Sequence, residues 1–209
     1  MDEQEQDDEQ NDKPEETGVP QKSGPETFHQ ELRHSQVTAR VPETVGKGIF
    51  STGSIVMQGP HEFVIDFLQS MAQPHRVAAR VVLPPTVVPL FLAALQENLN
   101  KFQQHFGPPP KLPSPPPGAT PPPISDIYEA LKLPDEMLGG TYANAVMILH
   151  TASEFCFDFI MSAYPRSAVS SRIYLSAAQV PRFFESLSRA YDQYRKKLNQ
   201  QRPPESSEE

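Results

Sequence analysis

The sequence predicts an α+β protein made of two repeats, each a three- to four-stranded antiparallel sheet followed by one long helix, packed together as a pseudo-dimer. Three observations carry this. Residues 41–106 align with residues 133–198 at a constant offset of 92 without a gap. A gapless register means both copies fold alike, because a one-residue insertion in a strand would turn every side chain to the other face. Within each copy the apolar pattern changes from period two to spacings of three and four, strand and then helix. Between the copies runs Gly107 to Pro123, with ten prolines in seventeen residues.

The elements follow in order. An opening strand falls near Val37–Val41 and Ile127–Leu133; in the second copy a short helix capped by Ser125 is the alternative. Phe50–Gln58 and Tyr142–His150 read as strands, closed by the short turns Gly59-Pro60-His61 and Thr151-Ala152-Ser153. The return strands alternate strictly, with Phe63, Ile65 and Phe67, or Phe155, Phe157 and Phe159, on one face. Third strands fall at Val77–Leu83 and Ser170–Leu175. Each copy closes with a helix, marked by Val88, Leu92, Leu95, Leu99 and Phe102, and by Phe183, Phe184, Leu187, Tyr191, Tyr194 and Leu198. Pro89 and Pro181 suit a first turn, where a missing N–H costs little, and Gly107 suits the end of the first helix.

These elements divide the chain into an acidic tail (1–27), repeat one (28–107), a proline-rich linker (108–123), repeat two (124–199) and a short tail (200–209). Units this small bury only about 60% of their unfolded surface, so the copies are expected to share a core. Seventeen residues of polyproline II reach about 50 Å, a semi-rigid spacer that lets the second copy sit on either side of the first.

Net charge is −8, and residues 1–26 account for all of it, with ten acids against Lys13 and Lys22. Residues 27–199 carry 15 Lys and Arg against 13 Asp and Glu, a net of +2. Both tails are too polar to offset their ordering entropy and are expected to be disordered. The acidic one serves as a solubiliser or as an electrostatic competitor of an anionic ligand. One cysteine, Cys156, excludes an internal disulfide and a cysteine-only metal cluster. No apolar run approaches the length of a membrane span and the start of the chain is acidic, so no membrane association and a cytoplasmic location are expected.

In copy two, Gly140-Thr-Tyr142-Ala-Asn144 is followed by His150-x-x-x-Glu154-Phe-x-x-Asp158-Phe159; copy one keeps Arg80-Val-Val-Leu83-Pro-Pro85, Ala94-Leu95-Gln-Glu-Asn98 and Phe106-Gly107. Taken together this string resembles the bacterial domain-of-unknown-function family 3467, over roughly 130 of 209 residues. Each copy has lost what the other retains. Members of that family usually carry one copy, which implies dimers, so this chain resembles a fused dimer. The family has no established activity, and the resemblance implies a fold rather than a function.

His150, Glu154 and Asp158 sit four apart and invite a metal reading, yet Gln58 takes the histidine position in copy one and no fourth group closes the set. The better reading is structural. Asp66 and Asp158 pair with Arg80 and Arg172 across neighbouring strands, since all four charges repeat in register. Cys156 corresponds to Val64, which marks a buried apolar position rather than an activated thiolate. No phosphate loop, HExxH or nucleophile-elbow motif occurs, so neither an enzyme nor a cofactor is expected. The expected role is binding of a macromolecule, with an unidentified protein first, as a monomeric pseudo-dimer or a homodimer. Apolar residues on both sheet faces support this, because one face can bury the helix and the other a partner. The alternative is single-stranded nucleic acid, in a layout that resembles PUR and Whirly proteins, with Arg189, Arg195, Lys196 and Lys197 as candidate contacts and the acidic tail as regulator.

Overall fold

The computed structural model describes residues 39–113, 118, 122–163 and 166–201, all within the unit His34–Glu209. The acidic tail, most of the C-terminal tail, Val37 and the middle of the linker lie outside the described residues. In repeat one, a single-turn helix α1 (Glu43–Gly46) leads to β1 (Ile49–Ser51), β2 (Gly53–Gln58), β3 (Phe63–Gln69), β4 (Arg76–Leu83) and the long helix α2 (Val88–Phe106). Repeat two begins with helix α3 (Ile124–Ala130) and a 3-10 turn (Asp135–Met137). It continues through β5 (Thr141–Tyr142), β6 (Ala145–His150), β7 (Glu154–Met161), β8 (Ala168–Ser176) and helix α4 (Val180–Gln201).

The repeats are interlocked by a reciprocal exchange. Each forms a three-stranded antiparallel meander, β2-β3-β4 or β6-β7-β8. The fourth strand of each sheet comes from the other repeat and runs parallel: β1 joins β8, with Ile49 opposite Ile173, and β5 joins β4, with Thr141 opposite Val81. The isolated bridges Arg40–Ala168 and Arg76–Lys132 extend the same exchange. Every one of these pairs maps onto its counterpart by the 92-residue offset, so the chain closes on itself about a pseudo-twofold axis.

The runs that look like one strand, Phe50–Gln58 and Tyr142–His150, are therefore each two strands in different sheets. The change of sheet falls at Thr52 and at Ala143–Asn144. Buried Ser51 donates its hydroxyl to the Gly53 carbonyl at 2.7 Å, and Asn144 both accepts from Ser162 N at 2.7 Å and donates to Ser162 O at 3.0 Å. These side chains satisfy backbone groups that a sheet ladder would otherwise serve. The opening strand near Ile127–Leu133 is instead α3, because the prolines preceding it fix an extended entry and a helical turn follows. Ser125 does not cap it; its hydroxyl donates to Asp126 at 3.0 Å. Among the described residues near Val41, Arg40 bridges Ala168.

Gly48 and Gly140 both have φ of +65°, a conformation that L-residues rarely adopt. A Cβ on Gly140 would lie 2.8 Å from both Arg80 Cγ and Val82 Cγ2, and one on Gly48 would fall on the Tyr174 ring. The two glycines recur because each lets an exchanged strand enter tightly beside its host.

One core joins both repeats. Phe63, Ile65 and Phe67 face the same interior as Phe155, Phe157 and Phe159, and the helices add Phe91, Leu95, Phe102, Phe183 and Leu187. Helix α4 lies across β2 and α2 across β6, so each helix covers the other repeat's sheet. Phe63 meets Tyr194 edge-on at 5.5 Å, and its counterpart Phe155 meets Phe102 at 5.4 Å. Near the axis Phe67, Phe91, Phe159 and Phe183 form a ring of contacts with centroids 5.6–5.8 Å apart. Each such pair stabilises by about 0.5–1.5 kcal/mol beyond the area it buries.

Candidate functional site

With the long helices α2 and α4 on the inner faces, the outer faces of the two sheets are left for chemistry or recognition. Alternation places Val64 and Asp66 on the outer face of β3, and Cys156 and Asp158 on that of β7. At the centre of each face stands an ion pair. Asp66, fully buried, accepts from Arg80 Nε and Nη2, both at 2.7 Å, and Asp158 accepts from Arg172 in the same way at the same distances. Hydrogen bonding to the carboxylate raises the pKa of each guanidinium further above its ordinary value.

The arginines also reach across to the other repeat. Arg80 Nη1 donates to the Leu138 carbonyl at 3.2 Å, and Arg172 Nη1 to the Gly46 carbonyl at 3.4 Å. Those carbonyls lie in the segments leading to β5 and β1. Each ion pair thus fastens the loop that delivers the exchanged strand, which accounts for its recurrence without any catalytic role.

The two outer faces then diverge. On the first sheet α3 lies over the ion pair: Tyr128 donates its hydroxyl to Asp66 and sits 3.5 Å from Met57 Sδ. Burial, reinforced by the Asp66 hydrogen bond, raises the Tyr128 pKa, so the phenol stays protonated and able to donate. On the second sheet the residues equivalent to α3, 32–38, lie outside the described residues. There the cross-strand register aligns Phe50, Tyr174, Cys156 and Leu149 in one row and sets Met147 beside Asp158 in the next. Phe50, Leu149 and Met147 are 44%, 52% and 42% exposed.

Cys156 is half-buried on this outer face rather than in the core, its thiol 3.8 Å from Asp158 Oδ1. Burial and the Asp158 charge push its pKa up to about 11. The thiolate is the reactive form. Alkylation of Cys156 by iodoacetamide at pH 7 is therefore expected to run roughly a hundredfold slower than that of free cysteine; a rate matching free cysteine would contradict this environment.

The spacing of His150, Glu154 and Asp158 does not produce a ligand set. His150 pairs with Phe155 and points inward, whereas Glu154 and Asp158 point outward, Glu154 receiving the Thr151 hydroxyl at 2.9 Å. Among the described residues no three His, Cys, Asp or Glu side chains converge as a metal-binding group. His150 instead stacks on Phe155 at 5.1 Å and meets Phe102 and Phe106 edge-on at 5.9 and 6.3 Å. Burial lowers its pKa, and the nearby His105 and Lys101 lower it further. With the folded value below the unfolded one, the unfolded chain takes up the proton first as pH falls. The contribution is complete above about 6.5 and is lost as pH drops from there toward the folded value. Wild type is thus expected to lose melting temperature between pH 7 and pH 5 more steeply than His150→Phe; equal slopes would remove His150 from the account.

Of the basic residues of α4, Lys197 lines a cavity with Gln58, Pro60 and Tyr194, and Arg189, Arg195 and Lys196 do not. Arg189 lies 3.4 Å from Glu185, Arg195 sits over the Tyr191 ring at 6.0 Å, and Lys196 and Lys197 are exposed at the end of the helix. Two features escaped the sequence reading: the exposed row on the second sheet and the role of Tyr128. The apolar alternation at Met147 and Leu149 signalled the first. Nothing local signalled the second, because Tyr128 reaches Asp66 from 62 residues away.

No helix among the described residues is long and apolar enough to cross a membrane. A comparison with curated proteins gives no match. The family model described as "Protein of unknown function (DUF3467)" matches twice, over residues 3–110 and 115–200. The chain therefore belongs to the DUF3467 family and carries that domain twice in tandem.

Proposed function

We propose that this chain is a non-enzymatic protein-binding module, and that the outer face of the second sheet is where it engages its partner. The observation that carries the reading is the contiguous row of Phe50, Tyr174, Cys156 and Leu149 with Met147 beside it, in which Phe50, Leu149 and Met147 are exposed. A small cavity of about 240 Å³, lined by Leu149, His150, Thr151, Glu154, Cys156, Arg172 and Tyr174, opens at one end of the row. It suits a single apolar side chain. Contiguous apolar surface with a pocket for an anchoring residue is the usual ground plan of a protein interface. A cytoplasmic setting belongs to the same proposal and is checked by cell fractionation.

The nucleic-acid alternative has less support. Two of the sheet arginines, Arg80 and Arg172, are neutralised by aspartates, and of the α4 cations Arg189 is paired with Glu185. The test is affinity capture from the native host with wild type and Leu149→Asp, each with and without nuclease. A discrete protein that survives nuclease and is lost with Leu149→Asp supports the reading. Nuclease-sensitive material captured equally by both proteins sinks it.

A further inference from the structure

At the Phe50 end of the apolar row the surface changes character. Gln69 donates its amide to the Phe50 carbonyl at 2.9 Å, and its Oε1 accepts from Arg76 Nε at 3.0 Å and Nη2 at 2.6 Å. The guanidinium is thus held in place by a side chain that is itself held. Across a parallel bridge from Arg76 stands Lys132, from the other repeat. Their backbones are joined where Lys132 N donates to His75 O at 2.8 Å and Val77 N to Lys132 O at 3.0 Å. Both side chains are exposed, and neither lies within ion-pair distance of a carboxylate among the described residues.

Two like charges side by side across a backbone bridge repel, and no carboxylate among the described residues pairs with either. They border a groove of about 410 Å³ formed with Gln69, Met71, Gln73 and Pro74. An adjoining cavity of about 310 Å³ shares Gln69 and Arg76 and is lined by Phe50; Glu136 also lines it, without pairing to either cation. At the pseudo-symmetric bridge Arg40 faces Ala168, so the facing of two cations across the bridge is not repeated there.

We infer that this groove receives an acidic side chain of a partner segment whose apolar residues lie along the row from Phe50 to Leu149. The inference rests on the protein-binding reading above and adds the partner's chemistry: an acidic-apolar peptide, oriented by the Arg76–Lys132 end of the row. A carboxylate entering the groove relieves the Arg76–Lys132 repulsion and can take both a fixed guanidinium and an ammonium. Nucleic acid fits less well, because the row beyond Phe50 ends in aliphatic Leu149 and Met147 rather than in successive stacking rings.

The test selects random 12-residue peptides displayed on phage against the full chain, in parallel with Arg76→Gln/Lys132→Gln and with Leu149→Asp. Selected peptides are expected to pair apolar residues with Asp or Glu at one end, and the double variant should bind them at least tenfold more weakly. Its melting temperature should be unchanged or higher, since a repulsion has been removed; a purely structural role for the pair would lower it. Leu149→Asp should select no peptides. Peptides without acidic bias, bound equally by wild type and the double variant, would overturn the groove and leave the apolar face standing. No enrichment over bare support would overturn both. Binding of a labelled 20-residue oligothymidine that is lost in the double variant, in place of peptide binding, would assign the cations to nucleic acid and overturn the inference.

Discussion

Neither half of the chain, residues 1–107 or 108–209, will exist as a folded monomer when expressed alone. Each half supplies the fourth strand of the other's sheet and the helix that covers the other's inner face. Removing repeat two strips β5 from β4 and α4 from β2, which opens Phe63, Ile65 and Phe67 to water. Each such side chain loses about 1.5–3 kcal/mol of burial, a sum that exceeds the margin of a unit this small. The expected outcomes for an isolated half are an unfolded chain or a homodimer that repeats the exchange with a second copy of itself. Mixing the two halves should restore one cooperative transition by circular dichroism. A half that melts sigmoidally at a temperature independent of its concentration, and elutes as a monomer, would refute the interlocked architecture.

Substitution of Asp66 by alanine will be the most damaging single change on the outer faces, at about 3–5 kcal/mol in urea unfolding. The carboxylate is fully buried and Arg80 is 14% exposed, so loss of one partner strands a largely desolvated charge. It also releases Tyr128 and loosens Arg80 at the Leu138 carbonyl, two contacts that hold repeat two against repeat one. Tyr128→Phe alone should cost less, about 1–3 kcal/mol, because it removes one hydrogen bond to a charged acceptor. Replacing Asp66 and Arg80 together with Leu and Met should be milder than Asp66→Ala, since no charge is left unpaired. If Asp66→Ala costs under about 1 kcal/mol, on the scale of a surface salt bridge, the pair is not the fastener described.

Much of this architecture is legible in the residues because duplication makes the chain its own control. Alternation in Phe63-Val-Ile65-Asp-Phe67 against Phe155-Cys-Phe157-Asp-Phe159 sets which side chains face inward in both repeats. The same comparison tells against a metal reading at His150, because Gln58 stands in its place. Ser51-Thr52-Gly53 and Ala143-Asn144 show where local reading stops. Turn-forming Gly53 and Asn144 interrupt runs otherwise suited to one strand, but nothing local tells a kink within a sheet from a passage between sheets. Nor does the spacing of Ile124 to Ala130 announce that this helix will lie over Asp66.

The sequence by itself determined the α+β class, the two repeats in register, the core-facing aromatics and the positions of the two long helices. Each of these depends on periodicity and on residues close together along the chain. Only the tertiary structure decided which sheet each short strand joins and which helix covers which sheet. In an isologous arrangement the same complementary surfaces meet whether a strand pairs within its own repeat or with the other one. Local pattern is identical in the two cases, and the choice belongs to the packing of the whole molecule.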